Sequence, residues 1–176
     1  MDRDGVINED KGYVYKPEDF NVYSDAIKLI KFSASLKIPI FIVTNQSGIG
    51  RGYYSFRDFK NLNQHFLKNF NEFEKSMISI SYCPHSPNIG CSCRKPKSYM
   101  LRRIIRKNRI KVSKSYMVGD KISDIFASWR EKINYIFYLN RNKNFSSLDN
   151  LSPTLKNNVK GIDSLNFIID HIRSKF

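Results

Sequence analysis

Acidic residues are scarce in this chain: sixteen Asp plus Glu stand against thirty Lys plus Arg, for a formal charge of +14. Such a balance would draw nucleic acid, anionic lipid or a small phosphorylated substrate equally well, so charge by itself selects no partner. Long apolar runs are also missing. None approaches the roughly 20 residues that a membrane-spanning helix needs, and the N-terminal MDRDGVINEDKGY lacks the apolar core of a secretory signal. A cytoplasmic protein with no membrane partner is therefore expected. Cysteine is confined to Cys83, Cys91 and Cys93, close together and beside His85. An odd, clustered set suits a metal site in a reducing compartment better than a disulfide framework.

What is present is enough for a core. With 41% apolar and 14% aromatic residues the chain is not disordered, because large apolar groups offset the entropy of ordering it. A chain of 176 residues buries roughly 70% of its unfolded surface, so one domain over residues 1–176 is expected. Usage rich in Lys, Asn, Ile, Tyr and Phe reads as compositional drift, with the basic residues scattered rather than striped.

Apolar periodicity alternates between two kinds of element. Asp25 to Leu36 and Ser55 to Lys75 carry apolar residues at steps of three or four, which predicts two helices, the first capped by Ser24 or Asp25. Leu36 to Asn45, Met77 to Tyr82, Ser115 to Val118 and Tyr135 to Leu139 are short β-branched or alternating runs that predict strands. Ser98 to Asn108 (basic and amphipathic), Ile122 to Glu131 and Ile162 to Ile172 predict further helices, with Asn140 to Lys160 as loop. The fold class is α/β: a three-layer, Rossmann-like parallel sheet covered on both faces. In such sheets functional residues gather past the carboxyl ends of strands, where Thr44, Cys83 and Asp120 lie.

The residues at those ends carry chemistry. Asp2-Arg3-Asp4-Gly5 sets two carboxylates two residues apart ahead of a turn. One acid can attack phosphorus while the other protonates the leaving oxygen, although DxDG alone is also ordinary turn chemistry. Val118-Gly119-Asp120-Lys121 with Asp124 adds a second acidic turn, and a hard divalent cation takes oxygen ligands from separate segments, so the two motifs together point to magnesium. Thr44 offers a hydroxyl and Lys95 a compact positive charge for a phosphoryl group. Cys83-Pro84-His85 and Cys91-Ser92-Cys93 supply four nitrogen and sulfur ligands in one loop, 83–93, the number a closed structural zinc site takes. Clamping that loop would fix Arg94 and Lys95, which follow Cys93 directly.

The ordered set DxDG, TN, a basic Lys and GDxxxD, from Asp2 to Asp124, resembles the four motifs of the haloacid dehalogenase-like phosphatases. The resemblance implies that Asp2 is the nucleophile and Asp4 the general acid, which then activates water. Asp2, the Asp4 carbonyl and Asp120 would hold Mg2+, Thr44 and Lys95 would steady the phosphoryl group, and Asp124 would orient them. DRDGVIN, Gly12-Tyr13-Val14, TNQSGIGRG, CPH, CxCRKP and YMVGDK narrow the resemblance to the heptose bisphosphate 7-phosphatase branch, which implies a phosphorylated sugar of the lipopolysaccharide core pathway as substrate. By position, Asp10, Lys11, Gly12, Tyr13, Thr44, Asn45, Gln46 and Ser47 would line the substrate pocket, with Arg94, Lys95 and Lys121 on its phosphates. The same resemblance implies a zinc-loop insertion and no large cap domain.

Three other functions use parts of this pattern: a histidinol-phosphatase, a 3′-phosphate nucleic-acid end phosphatase, and an inactive zinc-loop interaction module. The first usually carries Asp after TNQ, the second calls for a basic stripe, and the third leaves the paired acidic turns unexplained. Nucleic acid is thus not the expected partner, and a monomer is. Only Met1 precedes Asp2, whereas a sheet of this class should lead into the nucleophile through a buried strand, so the first strand is expected to be truncated in this chain.

Overall fold

In the computed structural model, which describes residues 1–175, the β-branched runs are parallel strands and the lysine-spaced repeats are helices packed on both faces. β1 (Ile40–Asn45), which leads into the one-turn helix α2 (Ser47–Gly50), pairs in parallel with β2 (Ile78–Cys83), with Asn45 opposite Cys83. β3 (Tyr116–Gly119), β4 (Tyr135–Leu139) and β5 (Val159–Ile162) form a second parallel set in that order. Met1 and Asp2 join the two sets. The Val43 N–H donates to the Met1 carbonyl at 2.9 Å, and the Asp2 N–H donates to the Val118 carbonyl at 2.9 Å.

Successive strand residues point to opposite faces, which divides the apolar core between the two faces. Ile42, Val118, Phe137 and Leu139 pack with α1 (Ser24–Ser35), α3 (Phe56–Leu67) and α8 (Asn166–Arg173) through Leu29, Ile30, Leu62, Phe66 and Ile168. Val43 and Met117 face the other way, onto Met100, Leu101 and Ile104 of α5 (Tyr99–Asn108) and Ala127 of α6 (Ile122–Arg130). The result is the expected three-layer α/β sandwich. Among the described residues no helix is long and apolar enough to cross a membrane.

Four local expectations are corrected. The stretch Ser55 to Lys75 is two helices, α3 and α4 (Glu72–Ser76), because Asn71 and Glu74 form a reciprocal capping box that starts a new helix. Phe70 in the break stays buried, which is why the apolar spacing runs through it. Asn140 to Lys160 is not all loop: it contains α7 (Pro153–Lys156) and opens β5, whose short VKGI sequence carries too little apolar signal to stand out. A side chain at Gly161 would begin 2.7 Å from the Phe145 ring, so the strand needs glycine there. The closing helix accordingly starts at Asn166 rather than Ile162. Nor does Ser24 or Asp25 cap α1. Asp25 instead takes two hydrogen bonds from Arg141 at 3.0 Å and one from the Leu165 N–H at 3.0 Å, tying α1 to the start of α8.

Beside Met1, between β1 and β3, lies an apolar cavity of about 380 Å³ lined by Leu29, Ile40, Leu101, Ile104, Ile133 and Ile172 among others. An engineered extension of β-branched residues ahead of Met1 is expected to enter this space as a strand. Each buried Val or Ile contributes about 1.5–3 kcal/mol before ordering costs, enough to raise Tm by about 5 °C or more. An unchanged Tm would show that the space does not accept a strand.

Candidate active site

The loops that follow β1 and β3, together with the segment Asp2 to Val14, meet at one edge of the sheet. Lys95 sits at the centre of that edge and is almost fully buried. Its Nζ lies 2.7 Å from Asp2 Oδ1 and 2.5 Å from Asp124 Oδ1, and it donates to the Val43 carbonyl at 2.7 Å. Asn45 holds the lysine's backbone from both sides, accepting from the Lys95 N–H at 3.0 Å and donating to its carbonyl at 3.1 Å. Burial alone would lower the lysine's pKa, but Asp124 and Asp2 outweigh it and push the value up, so the ammonium is retained.

The carboxylates beside it are crowded. Burial raises the pKa of Asp2 against the pull of Lys95, with Asp124 adding to the rise. Asp120 is pushed up to about 8 by burial and then by Asp2. Its Oδ1 is buried without a hydrogen-bond partner. Oxygens of Asp2, Asp120 and Asp124 lie within 4.8 Å of one another. Such a set, in which Asp120 Oδ1 has no protein donor and Lys95 neutralises only part of the negative charge, fits a hard divalent cation. Gly5 makes the approach possible: at φ +87° it takes a left-handed turn, and a Cβ there would fall 2.1 Å from Asp120 Oδ2.

Asp4 faces a different set of partners. Arg3 donates to its Oδ1 through Nε at 3.1 Å and Nη2 at 2.9 Å, Asn8 Nδ2 donates at 3.1 Å, and Gln46 Nε2 donates to Oδ2 at 2.9 Å. The two acids of DxDG therefore have separate environments, one against an ammonium and the other in a fork of neutral and guanidinium donors.

Both line a cavity of about 350 Å³, with Asp10, Gly12, Tyr13, Thr44, Asn45, Gln46, Ser47, Arg94, Lys95 and Lys121. Of the residues expected there, Lys11 is the exception. It is absent from the lining, and its ammonium lies 3.6 Å from Glu9. Lys121 is anchored at the rim by Asp10 at 2.7 Å, and this contact lowers the pKa of Asp10 despite burial. Arg94 brings to the cavity a guanidinium whose Nη1 is buried without a partner. Tyr54, Val14 and Ser123 also line it, and sequence reading passed over them. Arg3 and Asn8 were likewise missed as ligands of Asp4, although their placement inside DRDGVIN was the available signal.

The thiol loop lies next to this cavity. Cys83 Sγ is 3.0 Å from Cys93 Sγ and 3.5 Å from Cys91 Sγ, and His85 Nδ1 is 3.2 Å from Cys93 Sγ. A tetrahedral zinc ion, with bonds of about 2.0–2.3 Å, separates its ligands by about 3.5–3.8 Å. The Cys83–Cys91, Cys91–Cys93 and Cys83–His85 pairs, at 3.5, 3.5 and 3.6 Å, match that spacing, whereas Cys93 Sγ sits closer than that to Cys83 and His85. Lys97 closes the loop by donating to the carbonyls of Gly90 and Cys91 at 2.6 and 2.8 Å.

Residues 1–153 match the family model described as polynucleotide kinase 3 phosphatase. A D-glycero-beta-D-manno-heptose-1,7-bisphosphate 7-phosphatase from Helicobacter pylori is 40% identical over 134 residues, covering 76% of this chain and 78% of the relative. The chain belongs to the haloacid dehalogenase-like phosphatases. A second phosphatase of this family, the D-glycero-alpha-D-manno-heptose-1,7-bisphosphate 7-phosphatase from Campylobacter jejuni, is 40% identical over 143 residues, 81% of this chain and 82% of its own. The D,D-heptose 1,7-bisphosphate phosphatase from B. bronchiseptica, solved with magnesium and phosphate, shares the fold with a TM-score of 0.83 at 21% identity, covering 99% of this chain and 97% of its own. The phosphatase fold is thus matched along nearly the whole length.

Proposed function

We propose that this phosphatase removes the 7-phosphate of D-glycero-D-manno-heptose 1,7-bisphosphate, as a single domain over residues 1–176 that works as a cytoplasmic monomer. The observation that carries this reading is the unpartnered guanidinium of Arg94 beside Asp2, Asp4, Thr44 and Lys95, which gives the cavity a place for a second anionic group. In the first step the Asp2 carboxylate attacks phosphorus, the P–O bond to the sugar breaks, and the leaving oxygen takes a proton from Asp4. In the second a water loses its proton to Asp4 and attacks the aspartyl phosphate, releasing phosphate and restoring both acids. Thr44 donates to a phosphoryl oxygen.

Asp2, the Asp4 carbonyl and Asp120 would hold Mg2+, which when bound supplies positive charge against the phosphoryl oxygens. Asp124 already spends its oxygens on Lys95 and on the Lys121 N–H at 3.1 Å, so its role is to orient. Cys83, His85, Cys91 and Cys93 would hold a structural Zn2+ that fixes Arg94 and Lys95. The deciding experiment measures phosphate release from heptose bisphosphate, histidinol phosphate and a 3′-phosphorylated oligonucleotide side by side. The first is expected to be cleaved far fastest.

Arg94→Ala should raise KM for a bisphosphate by about ten- to a hundredfold, the worth of a charge-assisted contact, and leave a monophosphate nearly unchanged. Equal effects on both substrates would remove Arg94 from specificity.

One observation favours the oligonucleotide as a second reading. The cations are not evenly scattered: no Asp or Glu occurs between Glu74 and Asp120, and Arg102, Arg103, Arg106 and Lys107 are exposed along α5, with Arg109 exposed just past its end. If that face bound nucleic acid, activity on the oligonucleotide would fall steeply with salt through counterion release, whereas a small bisphosphate would show a mild dependence.

A further inference from the structure

Gln46 was expected to touch substrate, yet its side chain has little left to offer. It is only 2% exposed. Its Nε2 donates to Asp4 Oδ2 at 2.9 Å and to Thr44 Oγ1 at 2.7 Å, while its Oε1 accepts from the Tyr54 hydroxyl at 2.6 Å and from Arg3 Nη2 at 3.2 Å. The two ends of a side-chain amide have nearly the same shape and are told apart only by their partners. Guanidinium can only donate, so the end facing Arg3 and Tyr54 is the oxygen and the NH2 must face Asp4 and Thr44.

Tyr54 is built for that contact. Its ring is buried and stacked on Tyr15, with centroids 5.1 Å apart and planes 12° from parallel. A Cβ at Gly48 would fall 2.1 Å from the ring, so glycine is what lets the tyrosine reach the amide. Burial also pushes the phenol up to about 12, which keeps it a donor across the working range.

We propose that Tyr54 and Gln46 form a positioning relay, in which the Tyr54 hydroxyl fixes the Gln46 amide and the amide sets the Asp4 carboxylate and the Thr44 hydroxyl relative to each other without touching substrate. This rests on the reading of Asp4 as the acid and base and of Thr44 as a phosphoryl contact. The chemistry of the hydroxyl makes the arrangement useful. Because Thr44 Oγ1 accepts from Gln46, its own proton stays free for a phosphoryl oxygen. Because Asp4 is held by the same amide, proton delivery and phosphoryl alignment share one reference point.

The test uses Tyr54→Phe, Gln46→Met and the double variant on two generic monoesters: glycerol phosphate, whose leaving oxygen needs a proton, and p-nitrophenyl phosphate, whose leaving group does not. Tyr54→Phe should keep the stack on Tyr15 and the parent Tm. It should lower kcat on glycerol phosphate by about tenfold or more, with KM within about twofold, and lower kcat on p-nitrophenyl phosphate by less. The double variant should be no worse than Gln46→Met alone, since both changes break one chain of contacts. A raised KM with unchanged kcat would make Gln46 a substrate contact and overturn the relay, as would multiplicative losses or wild-type rates. Asp2→Asn separates the two levels of the argument. Wild-type rates in Tyr54→Phe beside a dead Asp2→Asn sink the relay alone, whereas a live Asp2→Asn, or a parent that cleaves neither ester, sinks the site reading and the relay with it.

Discussion

Asp2→Asn is expected to lower turnover by at least about 10⁴-fold, the scale of losing a catalytic nucleophile, in a protein that still folds. An amide has the shape of the carboxylate but neither attacks phosphorus nor serves as an anionic ligand. The fold should survive because Lys95, the charge most exposed to the loss, keeps Asp124 at 2.5 Å and the Val43 carbonyl at 2.7 Å. Stability can even rise. Burial and neighbouring acids push up the pKa of Asp2 and carry Asp120 to about 8, so removing one of three crowded carboxylates relieves repulsion. Without divalent cation the variant should therefore melt at or above the parent temperature. With magnesium the order should reverse, because the parent has the better ligand set and gains more from binding. Phosphate release and two melting curves check all of this. Comparable turnover in the variant would end the role of Asp2 as nucleophile, and an identical magnesium shift in both proteins would end its role as ligand.

Much of this site could be read from sequence because its charged groups sit where short strands stop. Thr44, Cys83 and Asp120 each interrupt or follow a β-branched run, and the parallel register that sets Asn45 opposite Cys83 brings those ends together. Contacts between loops were less accessible. Nothing in the spacing of Gln46 and Tyr54 says that their side chains meet, and Gln46 read as a pocket residue because the family resemblance carries the Thr44 to Ser47 motif onto the pocket. Buried geometry, in which an amide fully used by protein cannot also serve substrate, assigns it another role. The fold shows the same division. Strongly apolar β1 and β4 stood out, whereas β5 carries Lys160 and Gly161 and is recognised as a strand by its parallel pairing with β4. The helix break at Asn71 was hidden for the opposite reason: Phe66 and Phe70 are both buried and keep the helical spacing across it.

Cys91→Ser is expected to lower zinc content, thermal stability and activity together. Cys83 is the last residue of β2 and His85 lies two residues beyond it, but the segment from Ser86 to Cys93 has a single short 3-10 turn at Pro87–Ile89 and exposes most of its side chains, so little apolar burial holds it. The four ligand atoms must supply what packing does not. Structural zinc binding couples to folding at about 10–16 kcal/mol in small peptides, and losing even a third of that in a domain of this size would lower Tm by roughly 10 °C. Cys91 is the informative ligand because its thiol lies low, at about 6: burial acts against the thiolate, but the Arg94 N–H and the neighbouring thiols favour it more. Activity should fall because Arg94 and Lys95 follow Cys93 directly, and the backbone contacts of Lys95 with Asn45 hold only one end of that segment. The measurements are metal content by mass spectrometry, a melting curve, and kcat with KM for a bisphosphate at saturating magnesium. If the parent protein carries no zinc, or if the variant loses zinc while keeping both Tm and kcat, the loop does not act as a clamp on Arg94 and Lys95.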